Sequence, residues 1–213
     1  MLFRSRNEFV CTSSSSGGGQ ELVLAKTAII HGVGLGAADF ALMAQKQASL
    51  VWSPRSNITL YGDTASVTLA DRLGVRIALG TDWIATGSMN LLRELRCADE
   101  LNRTRLGGHF SDEALVAMVT SHAAQVTATD DVLGTLEVGK VADLAIFDAT
   151  THRDHRAILE AEPKDVALVL RGGKVLYGDA DVVAGAAPSA ACDTLDVCGT
   201  AKDRKSTRLN SSH

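Results

Sequence analysis

From Leu22 to about Asp130, short apolar runs alternate with stretches whose apolar residues recur at helical spacing. Thr27–Ile30 predicts a buried strand, and Ala37–Gln47 a helix with Phe40, Met43 and Ala44 on one side. Ser49–Trp52 predicts the next strand. Thr64–Leu73 predicts a helix with Val67, Leu69, Ala70 and Leu73 inward, stopped by Gly74. Val75–Leu79 reads as a third strand, and Asn90–Arg103 as a long amphipathic helix capped by Ser88 or Asn90. Ser111 opens a further helix with an acidic first turn. Strands separated by helices imply right-handed crossovers and a parallel sheet. After Asp130 the period changes. Gly134–Asp148 has turn residues and then a β run, and two β runs flank Gly172-Gly173 as a hairpin would.

These changes of pattern divide the chain. Residues 1–21 read as a low-complexity leader containing Ser13–Gly19, joined abruptly to apolar sequence, as if authentic upstream sequence were missing. Residues 22–132 form the α/β part, 133–185 a small β part and 186–202 a tail. Residues 203–213 resemble the conceptual translation of a sequencing-library adapter and are set apart as non-native.

Aromatic residues make up only 4% of the chain, so a core drawn from its 46% hydrophobic content must rest on Ala, Val, Leu and Ile. The net charge is −4, and no basic run interleaves with aromatics, which argues against nucleic acid as the main partner. No apolar stretch approaches the roughly 20 residues of a membrane span. Cys192 and Cys198 read either as a small disulfide loop, which would place the protein outside the cell, or as two reduced thiols in a cytoplasmic one.

Candidate chemistry gathers at one place. His31 follows the first strand, Ser53–Asn57 the second and Asp82 the third, all at the carboxyl ends of consecutive parallel strands, where α/β folds build their sites. A histidine and an aspartate converging there suit metal-assisted hydrolysis. Read singly, each residue is ordinary: Asp82 a cap or turn residue, His31 a hydrogen-bonded structural histidine, Ser56 and Asn57 turn residues, Trp52 and Trp83 core. Arg93-Glu94 and Arg96–Glu100 read as a solvated helix face, and His109 and His122 as structural residues near helix ends.

In order, Ile30-His31-Gly32-Val33-Gly34-Leu35, Ser53-Pro54-Arg55-Ser56-Asn57 and Ala78-Leu79-Gly80-Thr81-Asp82 resemble the metal-dependent amidohydrolase superfamily. The branch they most resemble holds cytosine and guanine deaminases, chlorohydrolases and imidazolonepropionase-like enzymes. The segment Gly134–Leu144, with Gly139-Lys140 and Ala142-Asp143, resembles the return of the chain to that family's composite β-sandwich. The resemblance implies a partial (β/α)8 metallo-hydrolase barrel, about strands six to eight with their helices, plus part of the sandwich. It implies hydrolysis of a non-peptide C–N bond in a small molecule, with zinc or another divalent metal, one or two ions in the parent protein. Asp82 would bind metal and move a proton. His31 would contact substrate or bind a second metal, and Ser56, Asn57 and Trp83 would line the pocket.

The family's strand-one His-x-His is not found here, and His152-Arg153-Asp154-His155 lies far downstream in a polar linker. The strand-four ligand and the strand-five histidine with its glutamate are likewise not found. The polypeptide by itself is therefore expected to bind metal weakly and not to turn over substrate. Two rival readings stand beside this one. Gly32, Gly34 and Ala37 fit G-x-G-x-x-A between a strand and a helix, with Arg55 placed for an NADP 2′-phosphate. The chain could also be a catalytically dead scaffold domain. A homo-oligomer is compatible with every reading.

Overall fold

The computed structural model describes residues 10–11, 20–21, 23–187 and 192–205. Most of the stretch read as a leader and residues 206–213 of the adapter-like tail lie outside the described residues. The chain divides into two compact units, one ending at Thr135 and one beginning at Leu136.

In the first unit, β1 (Val10–Cys11) and β2 (Gln20–Glu21) pair antiparallel. A separate parallel sheet has the order β3 (Ala28–Ile30), β4 (Ser49–Trp52), β5 (Arg76–Leu79). Ala28, Ser49 and Arg76 stand level across the three strands, and so do Ile30, Val51 and Ala78. The strands therefore end together, and the residue that follows each one emerges at the same edge. Central β4 has Leu50 and Trp52 wholly buried on one face and Ser49 buried on the other, the double-sided burial expected of a middle parallel strand. The helices are α1 (Ala37–Gln45), α2 (Pro54–Tyr61), α3 (Val67–Arg72), α4 (Leu91–Thr104), α5 (Asp112–Ala117) and α6 (Ser121–Val126). Phe40, Met43, Val67, Leu95 and Leu115 complete a core with few aromatics.

Three elements differ from the pattern-based expectation. Strand β3, read as a buried strand, buries Ile29 alone and exposes Ala28 and Ile30. Ser53–Asn57 is no simple turn. Pro54 opens α2, its fixed φ suiting the first helical position, and Gly62 at φ 73° closes it in the left-handed conformation. Helix α3 starts at Val67 rather than Thr64, because the Thr64 hydroxyl accepts the indole N–H of Trp52 at 2.7 Å and is held outside the helix.

The second unit is a five-stranded antiparallel sheet of order β6-β7-β8-β10-β9, built from β6 (Leu144–Phe147), β7 (Val166–Arg171), β8 (Lys174–Asp179), β9 (Cys192–Val197) and β10 (Thr200–Lys205). Helices α7 (Asp154–Leu159) and α8 (Ala180–Ala186) belong to it. The β7–β8 hairpin turns on Gly172 and Gly173, both at positive φ (56° and 74°), as a two-residue hairpin loop of the I′ kind requires. Lys202 of β10 is wholly buried. Its ammonium donates to Val166 O at 3.0 Å and is paired with Asp179. The sheet thus runs beyond residue 185, and residues 203–205 pair within it.

A Cys192–Cys198 disulfide is ruled out by geometry. Cys192 begins β9 and Cys198 lies beyond its far end in the hairpin turn, so about 20 Å of extended chain separates them, and both thiols are free. Among the described residues, no helix is long and apolar enough to cross a membrane.

Candidate active site

Three consecutive strand ends of the first unit build the site. His31 follows β3 and Asp82 follows β5, and both take left-handed backbone (φ 70° and 56°). Non-glycine residues rarely adopt that conformation, and His and Asp are among those that tolerate it best. These two turns bring His31 Nε2 to 3.7 Å from Asp82 Oδ2. Between them, helix α2 supplies two wholly buried side chains. Ser56 donates its hydroxyl to Asp82 Oδ2, and the amide of Asn57 meets His31 Nδ1 at 3.1 Å. Each α2 residue thus holds one member of the pair.

The surroundings tune the carboxylate. The Ser56 hydroxyl holds the Asp82 carboxyl below its usual range. The backbone N–H of Trp83 and the nearby imidazole act in the same direction, against partial burial. Asp82 is therefore an ionised acceptor at neutral pH. Tyr61, the last residue of α2, stands edge-on to the imidazole with ring centroids 6.0 Å apart. Trp83, expected to pack in the core if it were merely structural, is 68% exposed, with Ile84 and Met89 of the same loop also exposed. Trp52 is the core residue of the two.

Several supporting residues escaped the sequence reading. Glu94, taken for part of a solvated helix face, is wholly buried and accepts the backbone N–H of Arg55 at 3.0 Å, capping α2 from α4. Burial pushes its carboxyl up, opposed by Ser88 and by the Arg55 amide and guanidinium. Arg55 donates its Nε to Ser88 Oγ at 3.0 Å, tying the start of α2 to the loop before α4. Thr86 lies 3.2 Å from the Ser56 hydroxyl. The signal for α2 was present as Ser53-Pro54 and Gly62, the start and stop of a helix without an apolar stripe. His109 pairs with Asp71 at 2.7 Å, and His122 Nδ1 donates to Ile77 O at 3.1 Å, both structural contacts.

The nucleotide-loop reading does not survive. Gly32 is needed for a left-handed turn (φ 64°), and a Cβ there would meet Leu50 Cδ1 at 2.6 Å, so packing accounts for the glycine. At the start of α1, the buried Asp39 carboxylate accepts the Gly36 N–H at 2.9 Å, taking the place a pyrophosphate would need and repelling it.

A catalytic zinc takes three protein ligands. Among the described residues, no three His, Cys, Asp or Glu side chains converge in that way. Asp82 and His31 are the one such pair at the strand ends. The described residues do not compose a complete metal centre.

The chain is similar to several known proteins. A 5-methylthioadenosine/S-adenosylhomocysteine deaminase of Halobacterium salinarum is 34% identical over 163 residues, 73% of this chain and 38% of that protein. One from Desulforudis audaxviator is 31% identical over 170 residues, 72% of this chain and 40% of that protein. Among solved structures, a zinc-bound adenosine deaminase from Xanthomonas campestris superposes with a TM-score of 0.67 at 26% identity, covering 72% of this chain and 37% of the other. The chain thus spans about two fifths of the length of these relatives. The model of the amidohydrolase family matches residues 5–176, and the chain belongs to that family of TIM-barrel-like metallo-hydrolases.

Proposed function

We propose that this chain is part of a metal-dependent hydrolase that removes an amine from a small heteroaromatic substrate of the purine nucleoside class. The observation that carries the reading is the His31–Asp82 pair at the strand ends, each member held by a buried α2 side chain. The deaminases named above supply the substrate class. In this reading β3, β4 and β5 are strands six to eight of a (β/α)8 barrel, and the second unit is part of the composite β-sandwich.

The reaction adds water to the ring carbon that bears the amine, breaks that C–N bond and releases ammonia. Asp82 accepts a proton from the attacking water and returns it to the leaving nitrogen, and Ser56 keeps the carboxylate ionised for the first step. His31 hydrogen-bonds the substrate beside it. Trp83 offers an exposed indole face on which a flat ring can stack. Asp82 would be the ligand this chain gives to zinc or another divalent metal, which when bound supplies a Lewis acid that makes a water nucleophilic near neutral pH. The other ligands would come from outside the described residues.

The test is ammonia release from 5′-methylthioadenosine and S-adenosylhomocysteine by the whole protein. Asp82→Asn should lower kcat by about 10²–10⁴-fold, the usual worth of a positioned acid–base group. Undiminished turnover in that variant would sink the assignment.

A further inference from the structure

We propose that Trp52 and Thr64, neither of them in the site, act through Asn57 as positioning residues. They fix neutral His31 with its proton on Nε2, so that the imidazole presents a hydrogen-bond donor, not a metal-binding lone pair, beside Asp82. The proposal rests on the reading of that space as the reacting one.

An indole N–H can only donate. Trp52 is wholly buried, and its Nε1 lies 2.7 Å from Thr64 Oγ1, so the threonine oxygen accepts there. The hydroxyl keeps one proton of its own, which faces the Asn57 amide at 3.4 Å. Asn57 Oδ1 accepts that proton, and the NH2 group of the same amide meets His31 Nδ1 at 3.1 Å. An NH2 group cannot accept, hence Nδ1 holds a lone pair. A neutral imidazole has one N–H, and it is therefore on Nε2.

A second constraint agrees. Nε2 faces Asp82 Oδ2 at 3.7 Å, the carboxylate oxygen to which Ser56 also donates. A proton on Nε2 points at a negative charge, whereas the other tautomer would set a lone pair against it. A metal could claim His31 only by displacing Asn57 from Nδ1 or by stripping the proton from Nε2.

The measurement is the two-bond ¹H–¹⁵N correlation pattern of the imidazoles in the full chain, with His31 assigned from a His31→Gln sample. The wild type should show His31 protonated on Nε2. Thr64→Val, which removes the hydroxyl and keeps the shape, frees the Asn57 amide to turn. It should raise the Nδ1–H population about tenfold, as loss of one buried hydrogen bond would. Thr64→Ser should restore the wild-type pattern, and Asn57→Asp, which can only accept, should move the proton to Nδ1. Zinc added to the wild type should leave the Nε2–H pattern unchanged.

A wild-type Nδ1–H tautomer, a Thr64→Val spectrum indistinguishable from wild type, or loss of Nε2–H on zinc addition would each overturn the proposal. The wild-type spectrum decides even if a variant fails to fold. If the tautomer is as expected and the whole protein releases no ammonia, the functional reading fails alone.

Discussion

Glu94 offers a quantitative test of how the site is held together. Its side chain is wholly buried on α4 and accepts the Arg55 N–H at the start of α2, the helix that delivers Ser56 and Asn57. Glu94→Ala removes that acceptor and opens a cavity. The orphaned N–H costs about 1–3 kcal/mol, and truncating a large buried side chain to alanine costs about 2–5 kcal/mol. The two terms overlap, so about 3–5 kcal/mol is expected in total. Glu94→Gln keeps an acceptor oxygen and nearly the same volume, and should cost less than about 1 kcal/mol. A pH dependence separates the two further. Because burial raises the folded-state pKa of Glu94 above its ordinary 4.5, the folded state holds the proton more tightly than the unfolded state. The stability this contributes is fully present below the ordinary value and is lost as pH rises through the raised one. Wild type should therefore lose stability relative to Glu94→Gln as pH climbs out of the glutamate range. Urea unfolding followed by tryptophan emission measures this, since both tryptophans, Trp52 and Trp83, lie in the first unit. An alanine variant within 1 kcal/mol of wild type, or a pH trend of the opposite sign, would refute the reasoning.

Other consequences are equally concrete. Ser56→Ala removes the largest influence lowering the Asp82 carboxyl, so the acid limb of the kcat/KM profile of the whole protein should move to higher pH, with the alkaline limb unmoved. Gly32→Ala places a methyl 2.6 Å from Leu50 Cδ1 at φ 64° and should destabilise by about 2–4 kcal/mol, read as a fall in Tm, because overpacking and left-handed strain add. Isothermal titration of the chain alone with zinc should give only weak binding and no deamination, because no three ligating side chains converge among the described residues. Submicromolar binding together with turnover would contradict that.

The strands and the Gly172-Gly173 hairpin were legible because burial on parallel strands and turn chemistry both write directly into residue type. Ser49–Trp52 is the same four residues by pattern and by structure. Helix α2 left only its start and stop signals to read, because past Pro54 the side chains it buries, Ser56 and Asn57, are polar, and a helix with a polar inner face has no apolar stripe to find. Glu94 was misread for the same reason: a carboxylate on an amphipathic helix looks solvated until its partner, thirty-nine positions earlier in sequence, is known. The order of His31, Ser56-Asn57 and Asp82 along the chain pointed to one edge of the sheet. Which α2 side chain would meet which member of the pair depended on the pitch of a helix that pattern did not reveal.

The backbone at His31 and Asp82 acts as a filter on which amino acids can be tried there at all. A β-branched or bulky replacement would be refused by main-chain sterics before its chemistry mattered, and its inactivity would teach nothing. Asparagine is welcome at both positions, so His31→Asn and Asp82→Asn are substitutions whose functional deficits can be charged to the lost imidazole or carboxylate alone.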